Sequence, residues 1–292
     1  MLNTQTAFTL VNPQNGNLAF KLFSFEDNSH FDHFQRHNYY SIIWVTNGRG
    51  KLKTDLSEYD FAPGTLFTFS LYQPFMLTSV DKLEGVVINF HPEFFCIYKH
   101  HKEVTANGIL FNNIYEPPYV NVDESSAATF KMLIAQIKTE MQNPDLAQYE
   151  LLVSYLKIFL ITAARLKAGQ NPGLLNETSA VKEPFILQNL KDAIEEHFKN
   201  KHSASDYADM LNISAKALAK LAKTHFNKTI TDLIAERIII EAKRELYLTN
   251  KPVKEIAYEL GYDDEYYFSR FFKTNADVSP QLYRDTVGFG KG

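Results

Sequence analysis

Residues 252–284 read PVKEIAYELGYDDEYYFSRFFKTNADVSPQLYR. Val253, Ile256, Ala257 and Leu260 recur at i, i+3, i+4 and i+7, one apolar face of a short amphipathic helix that Gly261 can end from a left-handed position. Phe268, Phe271 and Phe272 repeat helical spacing and give a second helix an apolar edge, while Glu265, Tyr266, Ser269, Arg270 and Lys273 occupy its remaining faces. A helix that packs by one edge and shows hydrogen-bonding and charged groups elsewhere suits entry into a DNA groove. Ser279-Pro280 supplies an N-cap and a proline at the first position of a third helix. On pattern alone, a small helical packing module explains the stretch equally well.

An earlier copy of the same pattern precedes it. Ser203 with Asp206 makes a capping signal, Tyr207, Ala208, Met210 and Leu211 form an apolar face, and Asn212 stands where Gly261 stands later. Ser214 then opens a helix with Leu218, Leu221 and Ala222 on its inner side, and residues 231–248 read as a connecting helix. Its 18 residues span roughly 27 Å, which approaches the roughly 34 Å between successive major grooves on one DNA face.

The run EIAYELGYDDEYYFSRFFK followed by VSPQLYR resembles the second helix-turn-helix of the AraC/XylS family of bacterial transcription regulators. The matches fall at Glu255, Ile256, Ala257, Gly261, Tyr262, Tyr267, Phe268, Arg270, Phe272, Lys273, Pro280, Tyr283 and Arg284, and Arg237, Ala242, Leu246 and Leu248 match the connecting helix. The chain departs from the pattern at Asn275-Ala276 and Asn227, where the family has glycine, and at Ala222, where it has Phe. The resemblance implies that Ser214, Lys216, Ala219, Lys220 and Lys223 in the first copy, and Glu265, Tyr266, Tyr267, Ser269, Arg270 and Lys273 in the second, face DNA.

At 292 residues with 45% hydrophobic content, the chain suits two folded domains and excludes disorder. It shows no signal peptide or membrane span, which predicts a cytoplasmic protein without a membrane partner. One cysteine, Cys96, provides neither a disulfide nor a Cys-rich metal site. The net charge of −4 lacks the basic footprint of a nucleic-acid binder, and residues 181–292 hold 17 basic and 17 acidic side chains. Locally the footprint survives: residues 214–227 carry Lys216, Lys220, Lys223 and His225 without an acid.

The first 90 residues are strand-like. LAFKLFSF (18–25), SIIWVT (41–46), residues 65–71 and GVVINF (85–90) are β-branched and aromatic; Asn47-Gly48 signals a hairpin returning over 51–56, and Phe61-Ala62-Pro63-Gly64 another turn. This spacing suggests a sandwich or small barrel, and the arrangement is similar to the cupin-like sensor half of AraC-family regulators. A cupin-fold metal enzyme with a helical appendage is the alternative. His30, His33, His37, His91, His100 and His101 nevertheless show no H-x-H pair with a following Glu, so no metal, cofactor or catalytic residue is assigned. A ligand pocket would draw on His37, Tyr39, Trp44, Phe67 and Phe69, although each taken singly reads more readily as core.

Residues 124–142 and 146–167 form two helical runs, the first with Phe130, Leu133, Ile134 and Ile137 on one stripe. The second has a broader stripe, and its surplus points Leu152, Tyr155, Leu156 and Phe159 toward a subunit interface, with burial on the barrel as the plain alternative. Relatives use a helix pair here to dimerise. The expected fold is multidomain, α and β. It comprises a cupin-like barrel (1–122), a dimerising helical hairpin (123–168), a linker (169–183) and an all-α domain with two helix-turn-helix motifs (184–287), which should fold alone from Val181. The partners implied by the resemblance are double-stranded promoter DNA, a second copy of the chain, RNA polymerase and a small-molecule effector that the sequence does not name.

Overall fold

Runs of β-branched and aromatic residues set the strands of the N-terminal half. The computed structural model describes residues 7–12, 16–54, 57–97, 109–170 and 185–287. The chain divides into two units, Met1–Asn113 with Pro117–Glu177, and Ile114–Glu116 with Thr178–Gly292.

In the first unit, β1 (Phe8–Val11), β2 (Leu18–Phe25), β3 (Tyr40–Asn47), β6 (Thr65–Phe69), β8 (Glu84–Phe90) and β9 (Tyr119–Asn121) make an antiparallel sheet in the order β1-β2-β8-β3-β6-β9. A smaller sheet, β5-β4-β7, joins β4 (Gly50–Thr54), β5 (Glu58–Phe61) and β7 (Phe75–Thr78). Phe23, Phe25, Ile43, Phe67 and Phe69 from the large sheet meet Leu52, Phe61, Phe75 and Leu77 from the small one in a single apolar core. The expected hairpin at Asn47-Gly48 is a corner instead. Both edges of β3 are taken, by β8 and β6, so β4 pairs with β5 and β7 in the other sheet. Gly48 has φ +94°, and a Cβ there would press on the Leu83 side chain at 2.6 Å and the Lys82 carbonyl at 2.7 Å.

Two helices, α1 (Glu124–Gln142) and α2 (Gln148–Gln170), follow in this unit. Asp123 caps α1 by accepting from the Ser126 N–H at 2.7 Å. The outer face of the large sheet carries Tyr40, Ile42, Trp44 and Phe90, all buried. Trp44 meets Phe130 edge-on at 5.9 Å, and Phe130 stacks on Phe159 at 4.2 Å. This second core claims the broad stripe of α2. Leu152, Leu156 and Phe159 are 0%, 0% and 1% exposed within the single chain, so they pack internally and not between subunits. Tyr155 alone of the four is half-buried. Helix α2 also runs to Gln170, two residues into the expected linker; residues 171–183 of it lie outside the described residues.

The second unit consists of α3 (Phe185–His197), α4 (Ala204–Met210), α5 (Ala215–Phe226), α6 (Ile230–Leu248), α7 (Val253–Glu259), α8 (Glu265–Ala276) and α9 (Pro280–Val287). Helix α6 buries Leu233, Ile234, Ile238, Ala242, Leu246 and Tyr247 because helices before and after it pack on its sides. Ile114–Glu116, which lie between β8 and β9 in sequence, belong to this unit. Tyr115 packs on Phe226 with ring centres 5.7 Å apart and donates to Glu195 at 3.1 Å, while Lys228 donates to the Ile114 carbonyl at 2.8 Å. A fragment starting at Val181, expected from sequence to be self-contained, therefore omits three residues of its own unit, the buried Ile114 among them.

The burial of Leu156 makes a prediction that separates core from interface. Leu156→Ala should destabilise the first unit by about 2–5 kcal/mol in urea unfolding. The signal is Trp44 fluorescence, since Trp44 is the one tryptophan. A loss below about 1 kcal/mol, accompanied by subunit dissociation, would return Leu156 to an interface.

Candidate nucleic-acid interface

Two helix-turn-helix units recur on one plan. Ser203 caps α4 in a capping box with Asp206, whose N–H reaches the Ser203 hydroxyl at 3.2 Å and whose carboxylate accepts from the Ser203 N–H at 3.3 Å. Asn212 (φ 53°) turns the chain into α5, and Gly261 (φ 80°) makes the equivalent turn into α8. A Cβ on Gly261 would collide with the Lys199 carbonyl oxygen, so glycine is also required there for the close approach of the α3–α4 segment. Ser214 caps α5 by accepting from the Ala217 N–H at 3.2 Å, and Asp264 caps α8 by accepting from the Tyr266 N–H at 2.8 Å.

Each second helix is held by one edge. In α5 this edge is Leu218, Ala222 and Phe226; in α8 it is Phe268, Phe272 and Ala276. Phe271 and Leu221 are only half-buried, and Met210, expected inside, is 36% exposed at the end of α4. The glycine that the family has at the end of α8 is replaced in conformation by Asp277 (φ 61°), not by Asn275, which stays helical. Asn227 (φ 55°) does the same after α5.

The sequence-predicted DNA residues sit on the remaining faces. Lys216, Ala219, Lys220 and Lys223 are exposed on α5, where Lys223 also caps the helix by donating to the Asn227 carbonyl at 3.3 Å. On α8, Tyr266, Tyr267, Arg270 and Lys273 are exposed, and Glu265 and Ser269 are half-buried. Tyr266 is the most exposed aromatic of the helix at 77%. The structure therefore gathers each set on one helix, and the two faces differ chemically. The α5 face is lysine and alanine; the α8 face mixes acid, hydroxyl, phenol and guanidinium. Sequence reading passed over Tyr258, which is exposed beside Lys254, its ammonium 5.8 Å from the ring centre. An exposed aromatic on α7 next to a cation is the signal that could have marked it.

The suspected ligand residues of the first unit do not form one group. Phe67 and Phe69 line the core between the sheets, whereas Trp44 points to the opposite face, against Phe130. Strand alternation requires this, because Trp44 is one residue out of phase with Ile43 and Val45. His37 stacks on Tyr39 with ring centres 4.5 Å apart and meets Phe75 edge-on at 5.9 Å. Burial, with a smaller contribution from the Lys21 charge, lowers the His37 pKa to about 4, and burial raises the Tyr39 phenol to about 12.

Comparison with known proteins agrees with this architecture. The profile of AraC-like ligand binding domains matches residues 20–156, and that of a helix-turn-helix domain matches residues 207–286. The regulatory protein SoxS of Escherichia coli K12 is 32% identical over 99 residues, 34% of this chain and 92% of SoxS. The chain belongs to the AraC family of transcription regulators. Among other AraC-family relatives, the transcriptional activator RhaS of Enterobacter sp. strain 638 is 23% identical over 252 residues, 85% of this chain and 86% of RhaS. The raffinose operon regulator RafR of Pediococcus pentosaceus is 33% identical over 95 residues, so the match spans only about a third of the RafR length. No described helix is long and apolar enough to cross a membrane.

The depressed His37 gives a pH prediction. Its folded pKa lies below the unfolded value near 6.5, so its contribution to stability is fully present above pH 6.5 and is lost as pH falls toward 4. Over that window the first unit should weaken by up to roughly 1.4 kcal/mol per pH unit from this group. His37→Gln should flatten the slope in Trp44-monitored unfolding; an unchanged slope would show that His37 titrates normally.

Proposed function

We propose that the chain is a sequence-specific DNA-binding regulator of transcription that works as a homodimer and answers to a small molecule bound by its first unit. One observation carries the DNA assignment: α5 and α8 are each seated by a single edge on a common scaffold, with their polar faces left exposed. Lys216, Lys220 and Lys223 suit phosphates and guanine edges, and Ala219 suits a thymine methyl. Arg270 is the strongest candidate for bidentate pairing with guanine, Glu265 for accepting from cytosine, and Tyr266 and Ser269 for adjoining contacts. The near-neutral charge of this half is compatible with binding because α5 carries Lys216, Lys220 and Lys223 and no acid.

The test is a gel shift with duplex from the region upstream of the chain's own gene. Arg270→Ala should weaken binding to that site by about 1–3 kcal/mol and relax base choice at one position. An equal loss on random duplex would make Arg270 a phosphate contact, and no binding by the unaltered chain to any genomic fragment would overturn the reading.

For the dimer, burial of Leu152, Leu156 and Phe159 leaves another face of the hairpin. Leu151 (37% exposed) and Ile158 (48%) on α2 are one heptad apart, with half-buried Tyr155 between them and Met132 (57%) on α1. Ile158→Glu should give a folded monomer in sedimentation with weakened binding to a two-site operator. A stable dimer from this variant would place the interface elsewhere.

A further inference from the structure

Register across the large sheet sorts the inward-facing residues of the first unit into rows. One row runs Phe25, Gly85, Val45, and the next Phe23, Val87, Ile43, Phe67; both are wholly apolar. The row after that runs Lys21, Asn89, Ser41, Phe69. Alternation puts all three rows on the same face, so an otherwise apolar interior ends in a cation, an amide and a hydroxyl side by side. Ser41 is 2% exposed and Asn89 5% exposed. Among the described residues the buried Asn89 Oδ1 has no hydrogen-bond partner, which leaves an acceptor on this row open to a ligand.

The surroundings narrow what this row could hold. The Lys21 ammonium lies 4.9 Å from the Phe23 ring centre, and among the described residues no carboxylate pairs with it. Its charge reaches His37, which burial keeps neutral. Beyond Ser41 the row meets an aromatic wall, where Phe69 stacks on Phe75 at 3.9 Å and Phe75 meets His37, itself stacked on Tyr39.

We propose that this polar row with its aromatic wall is a binding site for an organic carboxylate with an apolar or aromatic body. Lys21 supplies the charge-assisted contact and Ser41 a hydroxyl donor. The Asn89 amide, whose ends interchange by a half-turn, gives its NH2 to the carboxylate or accepts from a hydroxyl beside it. The rings take the apolar body. This assignment rests on reading the first unit as ligand-binding and adds the class of ligand and three residues, Lys21, Ser41 and Asn89, to that reading.

The test uses the full chain and calorimetric titration with benzoate, 3-phenylpropanoate and 3-phenyllactate, each beside its own amide. The carboxylates should bind at least tenfold more tightly than their amides, and Lys21→Met and Ser41→Ala should each cost tenfold or more. Thermal unfolding followed at Trp44 checks that both variants keep the fold. Amides binding as well as acids, or Lys21→Met binding unchanged, would overturn the carboxylate class while leaving a ligand-binding unit in place. If neither acids nor amides bind, the site assignment itself fails.

Discussion

Arg237 is the point on which the C-terminal unit turns. Its guanidinium, 18% exposed, donates to Glu195 of α3 at 2.7 Å and to Glu241 one turn along α6 at 3.2 Å, and lies 4.0 Å over the Phe198 ring. A half-buried cation with two carboxylates and an aromatic face is satisfied only in one arrangement of α3 against α6. Glu241 is in turn shared with Arg244 at 3.0 Å. At the far end Arg284 of α9 donates to the Lys251 carbonyl at 2.6 Å, tying the second module to the turn that follows α6. Helix α6 is thus a spacer with fixed attachments at both ends. Its 19 residues extend about 28 Å, the order of separation needed to present α5 and α8 to neighbouring grooves.

The helical half was largely legible because its signals are local. Caps at Ser203 and Ser214, the Gly261 turn and the i, i+3, i+4 apolar edges each depend on residues within one or two turns. What escaped was the conformation at Asp277, where the left-handed residue lies two places later than the family glycine suggested, and the inclusion of Tyr115, which is distant in sequence. Neither can be read from periodicity. The residues proposed to face DNA fall as sets on α5 and α8, but the half-burial of Glu265 and Ser269 is set by packing that a helical wheel does not show.

The β half was legible as strands and not as pairings. Tyr40–Asn47 and Glu84–Phe90 announce themselves by composition, yet Asn47-Gly48 looks the same whether the next strand folds back or crosses to another sheet. Short strands such as Glu58–Phe61 and Phe75–Thr78 fell below what alternation can reveal. The same limit hid the setting of Leu152, Leu156 and Phe159: an apolar surplus on α2 shows that a partner exists, and only the outer sheet face bearing Trp44 and Phe90 shows that these three residues find theirs in the same chain. Trp44 illustrates the point for ligand residues too, since a one-residue change of phase moves a side chain from one core to the other.

The central claim is that two recognition helices, spaced by α6, engage DNA together. Hydroxyl-radical footprinting of the chain on its own upstream region tests this most directly. For each bound copy the account predicts two protected patches on one face of the duplex, about one helical turn of 10–10.5 base pairs apart. A single protected patch per copy, or two patches on opposite faces, would contradict it.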